Sequence, residues 1–325
     1  MSIFYTGNPL NKLTKVVPIF YTINNAYAPY AAASINSLMK HTDPKRYYRI
    51  IILHDGLDLI TRLRLRNLVT NNCAIQFKKI SNSLYLKVVI RYCLKTKGSG
   101  DYFAKAVYYY RAFIARLFPE YAKAVYVDSD TIFRADVGEL YDMDLGENAI
   151  AGMVDTKILE TKEFQDYVVN ALDMPYTEYV NSGVLVMDLK KLRKMKYLSQ
   201  MIEMMKIYKA DLLAPDQDYL NVILRGQIAH LSDKWNSVPK NPLPRDTKIV
   251  HFNLTYKPWH HKNIACERLF WNAARGTGFY GDLKRQLENF SAEDQKAEDD
   301  KLSGMLKRAA KLAKTKKPLI KKIEK

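Results

Sequence analysis

No apolar run in the 325-residue chain approaches the ~20 residues a helix needs to cross a bilayer; stretches such as residues 16–23 and 50–53 are far too short. No transmembrane span is expected. The opening Met-Ser-Ile-Phe-Tyr brings no positively charged start, no apolar segment long enough for a leader core and no small-residue cleavage site, so export by a secretory leader is not expected. Cysteine is scarce: Cys73, Cys93 and Cys266 lie far apart and match neither a disulfide framework nor a zinc-ligand spacing, which points to a reducing, cytoplasmic setting. Internal repeats and low-complexity core segments are absent. So is a Gly-rich phosphate loop near the first strand, which counts against a nucleotidyltransferase on an α/β fold.

What is present is core-forming material. A content of 48% hydrophobic and 12% aromatic residues suffices for one large domain, or a domain with an appendage. The formal charge of +17, with 23 tyrosines, raises the possibility of a basic nucleic-acid-binding protein. However, residues 301–325 alone hold ten Lys/Arg against Glu324, so about half of the excess sits in a tail, and no nucleic-acid motif is found; no nucleic-acid partner is expected.

Runs rich in Val, Ile, Tyr and Phe at residues 15–23, 47–53, 74–80 and 124–127 read as buried strands, and helical patterns at 29–39, 59–69 and 102–118 alternate with them. That order predicts an α/β domain with a mainly parallel sheet and ligand sites at the carboxyl ends of its strands. The second half predicts strands at 149–154 and 183–188, helices at 189–208 and 216–224, and short strands near 228–231 and 248–252. After Leu287 the composition turns polar and acidic, then basic. The expected division is an N-terminal extension over 1–14, one nucleotide-binding domain over 15–287, and an acidic linker with a basic helical tail over 288–325.

The segment from Ala124 through Asp128-Ser-Asp130 places two carboxylates, two residues apart, directly after a buried strand, where the chain must turn. Two such groups share one hard cation through oxygen ligands, and the cation also accepts phosphate oxygens. Asp is favoured in turns and caps for its own hydrogen bonds as well, and Asp136 reads as a helix cap. Tyr108, Tyr109 and Tyr110 read as core and cleft wall. Asp216, after Pro215, suits the first turn of a helix as readily as it suits sugar binding.

Tyr126-Val-Asp-Ser-Asp-Thr resembles the Asp-x-Asp element of glycosyltransferase family 8, which includes glycogenin and the bacterial lipooligosaccharide galactosyltransferases. Segments that resemble other motifs of that family follow the same order: Thr22 to Tyr30, Tyr109 to Phe113, Asn181 to Leu185, Asp216-Gln-Asp218 and His251 to Trp259. The resemblance implies a GT-A fold, a single Rossmann-like nucleotide-binding domain, and retaining transfer of a hexose from a UDP-sugar to a glycan, glycolipid or glycoprotein in bacterial surface-glycan synthesis. It further implies that Asp128, Asp130 and His251 bind manganese, with magnesium an alternative, and that Tyr21, Thr22, Asn24 and Tyr27 frame the uridine. Ser129, Arg111 and Lys257 would contact the donor, while Asn181, Ser182, Asp216 and Gln217 would surround the sugar and Asp155 would face it. Leu254 is a departure, because the family often has Gly there, where backbone approaches the pyrophosphate.

In the tail, Leu302, Met305, Leu306, Ala309, Leu312 and Ala313 recur at helical spacing with Lys307, Arg308, Lys311 and Lys314 between them. This pattern predicts a helix lying on an anionic membrane surface, at the inner face of the membrane, and ended by Pro318.

Overall fold

The computed structural model describes residues 16–80 and 106–322, so the extension expected over 1–14, Cys93 and the start of the helix expected at 102–118 lie outside the described residues. The described strands β1 (Val16–Thr22), β2 (Tyr47–His54), β3 (Cys73–Lys79), β4 (Lys123–Val127), β6 (Ile150–Val154), β7 (Val180–Asp188) and β8 (Ile228–His230) form one sheet, in the order β3-β2-β1-β4-β7-β6-β8. Only β7 runs against the rest. The mostly parallel sheet matches the expectation from buried, unalternating strand sequences.

Both faces of the central strands are covered, and residue alternation assigns their apolar residues to one of two cores; edge strand β3, expected to be buried, instead exposes Gln76, Lys78 and Lys79. Phe20, Ile51, Tyr126 and Leu185 face one apolar layer, and Ile19, Tyr21, Ile50, Ile52, Val125 and Val127 face the other. Helix α1 (Ala28–Met39) buries Ala28, Ala31 and Ala32, small residues that let it lie close to the second layer. Helix α2 (Leu59–Arg66) starts where the Asp58 side chain accepts from Thr61 N at 2.7 Å.

The segment expected as one helix over 102–118 differs. Ala106–Phe113 is a 3-10 helix, and among the described residues of this segment only α3 (Ile114–Leu117) is α-helical. Three consecutive tyrosines and Phe113 are largely buried there, and packing of these large rings outweighs the weak helical preference of aromatic residues. Helix α4 (Val137–Asp142) is capped by Asp136 through Gly138 N, as the sequence suggests. Helices α5 (Thr156–Glu160) and α6 (Lys162–Leu172) follow β6 and were not foreseen. The helix expected over 189–208 is two, α7 (Leu189–Lys194) and α8 (Tyr197–Tyr208), broken at Lys196 with φ of 55°. Helix α9 (Pro215–Leu224) opens with Pro at its first position.

A small second sheet pairs β5 (Thr131–Phe133) with β9 (Ile249–His251). Beyond it lie α10 (Glu267–Ala274), α11 (Tyr280–Asn289) and α12 (Ala292–Leu312). Among the described residues no helix is long and apolar enough to cross a membrane.

Helix α12 corrects three expectations. The first is its end: it stops at Leu312 with Ala313 as cap, short of the expected Pro318, where the Ala313 and Lys314 N–H groups close the last turn on the Ala309 and Lys311 carbonyls. The acidic stretch read as a linker is its first half, opened by a capping box between Ser291 and Asp294. Its apolar stripe is turned inward: Ala309 is fully buried, and Met305, Leu306, Leu312 and Ala313 pack against the first core layer. Arg308 donates to the Leu212 carbonyl at 2.9 Å, and Leu319 N reaches the Ala171 carbonyl at 2.8 Å beside fully buried Ile320. Those side chains face protein, so they are not a lipid-facing surface. Helical periodicity reports an apolar face but not what covers it.

Candidate active site

Strand order reverses at β1 and β4, since the chain runs outward to β2 and β3 on one side and to β7, β6 and β8 on the other. Crevices outside the carboxyl ends of strands at such a point are the usual ligand sites of open α/β sheets. Because β7 is antiparallel, its first residues arrive at the same edge: Val127 pairs with Val184, and Asp128 N donates to the Gly183 carbonyl at 2.7 Å. A cavity of about 390 Å³ opens there, lined among others by Thr22, Tyr27, Tyr108, Ser129, Asn181 and Leu254.

Past Val127 the chain turns through Asp128-Ser129-Asp130, held by Thr131 Oγ1 donating to the Asp128 carbonyl at 2.9 Å. Pairing of β5 with β9 sets His251 opposite Thr131. Its Nε2 thereby comes 3.1 Å from Asp130 Oδ1 and 3.9 Å from Asp128 Oδ2. The other ring nitrogen, Nδ1, meets Asn236 Oδ1 at 2.8 Å, and this partner holds the proton on Nδ1 and aims the Nε2 lone pair at the carboxylates. A mixed oxygen and nitrogen donor set of this kind suits a divalent cation, and the three ligand atoms lie within 4.8 Å of one another. Glycine at 183 lets two of these ligands approach β7: a Cβ there would lie 2.2 Å from His251 Cε1 and 2.9 Å from Asp128 Oδ2.

Burial opposes ionisation of Asp130, but the Lys257 ammonium outweighs it and holds its carboxyl well below the usual carboxylate range. The Lys257 ammonium donates to Asp130 Oδ2 and to the Phe252 carbonyl. The loop that carries it holds Leu254 and Tyr256 at φ of 61° and 58°. The backbone at Leu254 therefore has the left-handed conformation in which glycine is easiest, at a cost of roughly 1–2 kcal/mol for another L-residue.

Arg111 is buried, and its donors are taken by the protein. It donates to the carbonyls of Tyr108 and Ser182, lies 3.2 Å from Asp216 Oδ2 and 3.5 Å from Asp128 Oδ1, and covers the Tyr126 ring at 4.5 Å. Burial pushes the Asp216 carboxyl up to about 6, although Arg111 pulls it back; its Oδ2 accepts no hydrogen bond. Gln217 Oε1 accepts from Ser182 N at 2.9 Å and from Ser182 Oγ at 3.0 Å, and its amide nitrogen reaches Asp155 and Tyr179. Asp155 caps α5 with one oxygen and accepts from Asn181 Nδ2 at 2.9 Å with the other. Asn181 Oδ1 in turn accepts from Asn236 Nδ2 at 3.0 Å. A chain of amides thus links Asp155 through Asn181 and Asn236 to His251.

The expected residues thus converge on the cleft, with two exceptions. Tyr21 is fully buried in the second core layer, bonded to Ser34 Oγ at 3.0 Å, because neighbours on a strand face opposite ways and Thr22 takes the cleft side. Asn24 spends its side chain on Tyr27 N at 3.2 Å and lies outside the cleft lining. Tyr27, by contrast, lines the cleft with its hydroxyl 2.7 Å from that of Tyr108. Asn236, Gly183 and Tyr126, whose hydroxyl donates to Asp128 Oδ1 at 2.6 Å, escaped sequence reasoning. Tyr126, two residues before Asp128 on a buried strand, and Gly183, inside the Asn181 to Leu185 segment, carried a signal; Asn236 carried none.

The chain is similar to several known proteins. It is 24% identical to general stress protein A of Bacillus subtilis, across 76% of this chain and 88% of that protein. It is 27% identical to lipopolysaccharide 1,2-glucosyltransferase of Escherichia coli, across 42% of this chain and 44% of that one. Its fold is that of the galactosyltransferase LgtC, solved in complex with donor and acceptor sugar analogs, with a TM-score of 0.67 at 22% identity, covering 81% of this chain and 96% of LgtC. Residues 18–263 match the profile described as Glycosyl transferase family 8. The chain belongs to that family of glycosyltransferases.

Proposed function

We propose that the protein transfers a hexose, glucose or galactose, from a UDP-sugar to a glycan, glycolipid or glycoprotein acceptor with retention at the anomeric carbon, in the building of bacterial surface glycans. The observation that carries this reading is the meeting of Asp128, Asp130 and the His251 lone pair with Lys257 at the switch-point cleft of a family 8 glycosyltransferase. Those three ligands would hold Mn²⁺ or Mg²⁺, whose contribution when bound is Lewis-acid stabilisation of the departing diphosphate.

The chain's own groups do the rest. Thr22 and Tyr27 wall the nucleotide end of the cleft, and Lys257 brings a point charge beside the metal ligands for the phosphates. Arg111 acts through others, fixing Ser182, Asp216 and Asp128, instead of binding the donor itself. Gln217 is a poor nucleophile, and its amide is already bonded on both sides, which favours attack from the leaving-group face with Gln217 as a polar support. The test is UDP release from a panel of UDP-sugars with and without manganese. Release that requires the metal and one uridine donor supports the reading, and release from no UDP-sugar under any condition overturns it.

An anionic membrane surface on the cytoplasmic side remains the proposed meeting place with the acceptor, now through charge alone. Lys307, Lys311, Lys314, Lys316, Lys317 and Lys321 are exposed on α12 and the segment after it. Each lysine near an anionic leaflet contributes ~1 kcal/mol. The full chain should sediment with anionic vesicles at low salt, leave them at high salt and ignore neutral ones; equal binding to both vesicle types would remove the membrane from the scheme.

A further inference from the structure

Outside the cleft's own ligand set, a second group of metal-binding side chains meets where three segments cross. His260 and His261 are consecutive, both with backbone N–H bonded to the Lys257 carbonyl at 2.9 Å, so one turn presents two imidazoles together. They close on the two oxygens of a single carboxylate: His260 Nδ1 lies 2.6 Å from Glu298 Oε1, and His261 Nε2 lies 3.0 Å from Glu298 Oε2. Glu298 sits in the acidic first half of α12, where its neighbours Asp299 and Asp300 are exposed while it alone is buried. A carboxylate on a solvent-facing helix is buried only at a substantial desolvation penalty, so its inward turn needs a positive partner or strong donors.

The surroundings hold the rings as ligands are held. Phe290 stacks on His260 with centroids 4.4 Å apart and meets His261 edge-on at 5.1 Å. The far nitrogen of His260, Nε2, contacts the Gln286 amide at 3.0 Å, and Gln286 is fixed by the Tyr30 hydroxyl at 2.8 Å. An outer partner on the non-ligating nitrogen is what orients a metal-bound imidazole. The three ligand atoms lie within 4.8 Å of one another. Tetrahedral zinc with bonds near 2.0–2.2 Å sets neighbouring ligand atoms roughly 3.3 Å apart, so the N to O distances of 2.6 and 3.0 Å need to open by about 0.7 and 0.3 Å, within reach of small side-chain rotations.

We propose that His260, His261 and Glu298 form a second metal site, for Zn²⁺, distinct from the Asp128, Asp130 and His251 set. Two imidazoles and a carboxylate favour a borderline-soft ion, whereas the aspartate pair favours a harder one. On binding, each imidazole carries its proton on the nitrogen away from the ion, and the Gln286 amide turns its oxygen to accept from His260 Nε2. The ion ties the loop that bears Lys257 to α12, which three and seven residues after Glu298 supplies Lys301 and Met305 to the cleft wall. Zinc at this site therefore steadies the part of the cleft wall that α12 supplies. The site is independent of which donor or acceptor the enzyme uses.

The experiment uses untagged full-length protein, stripped with chelator and titrated with Zn²⁺, and with Co²⁺ as a spectroscopic probe, in the absence of nucleotide. The Asp128→Asn/Asp130→Asn double variant clears the first site, so its remaining zinc reports on the second. One equivalent should still bind, raise the melting temperature by mass action, and give the intense visible bands of low-coordinate cobalt. His261→Gln and Glu298→Gln, placed separately in that background, should each lower zinc affinity by at least about a hundredfold and abolish the bands, while far-ultraviolet circular dichroism stays that of the parent. The near-isosteric Glu298→Gln keeps the test sound should the histidine variant fold poorly. No zinc equivalent in the double variant, or an equivalent that survives both substitutions, overturns the site.

Discussion

Asp130→Asn is expected to lower the rate of transfer by about three orders of magnitude while leaving the melting temperature within a few degrees of the parent. The carboxylate sits at the mouth of the cleft, with a side chain 17% exposed, and its structural duties fall to its backbone, whose carbonyl accepts from Phe252 N at 2.9 Å. Asparagine keeps that backbone bond and the side-chain volume. What it removes is the negative charge that faces the His251 lone pair and balances Lys257, leaving an ammonium and a neutral amide where a divalent cation would be held. Asp128→Asn should behave alike, although its amide oxygen can still accept from Tyr126. Steady-state rates at saturating donor, measured across a manganese titration, decide the matter. A variant within tenfold of the parent at every manganese concentration would remove Asp130 from the metal site.

How far such a site can be read from sequence depends on whether the signal is local. The runs behind β1, β2 and β4 were legible because strands buried on both faces must be apolar throughout, and the Asp-Ser-Asp turn was legible because it abuts one of them. His251 was reached only through resemblance; its pairing with Thr131 across β5 and β9 joins positions 120 residues apart, which no periodicity reports. The same holds for Asn236, whose meaning lies wholly in what it approaches. Tyr21 shows the opposite failing. Strand alternation was available in the sequence and already separates Tyr21 from Thr22, so only one of the two could face the cleft. For α12 the amphipathic pattern was real and the helix exists, but an apolar stripe fits a neighbouring helix as well as a membrane. The contact with α6 and the burial of Ile320 are tertiary facts.

Gly183→Ala should be the most disruptive glycine-to-alanine change among the described residues. Its backbone needs no left-handed conformation, so the effect is one of space alone. The added Cβ would fall 2.2 Å from His251 Cε1, 2.8 Å from its Nδ1 and 2.9 Å from Asp128 Oδ2, and contacts under 3.0 Å force something to move. The strand cannot easily yield, because Gly183 carries the carbonyl that receives Asp128 N at 2.7 Å and its own N–H is held by Asn181 Oδ1 at 2.9 Å. The imidazole must therefore swing, breaking its bond to Asn236 and withdrawing Nε2 from the carboxylates. Overpacking of this kind costs about 1–3 kcal/mol of stability, a loss of a few degrees. A displacement near 1 Å of a catalytic group costs on the order of a hundredfold in rate, and the loss of one metal ligand adds to it. Manganese affinity and transfer rate should consequently fall together, with the folded state retained. Gly56→Ala is the control, since a Cβ there meets nothing within 4 Å and should change neither quantity. If Gly183→Ala binds manganese and turns over as the parent does, the close approach of β7 to His251 has no bearing on the metal site.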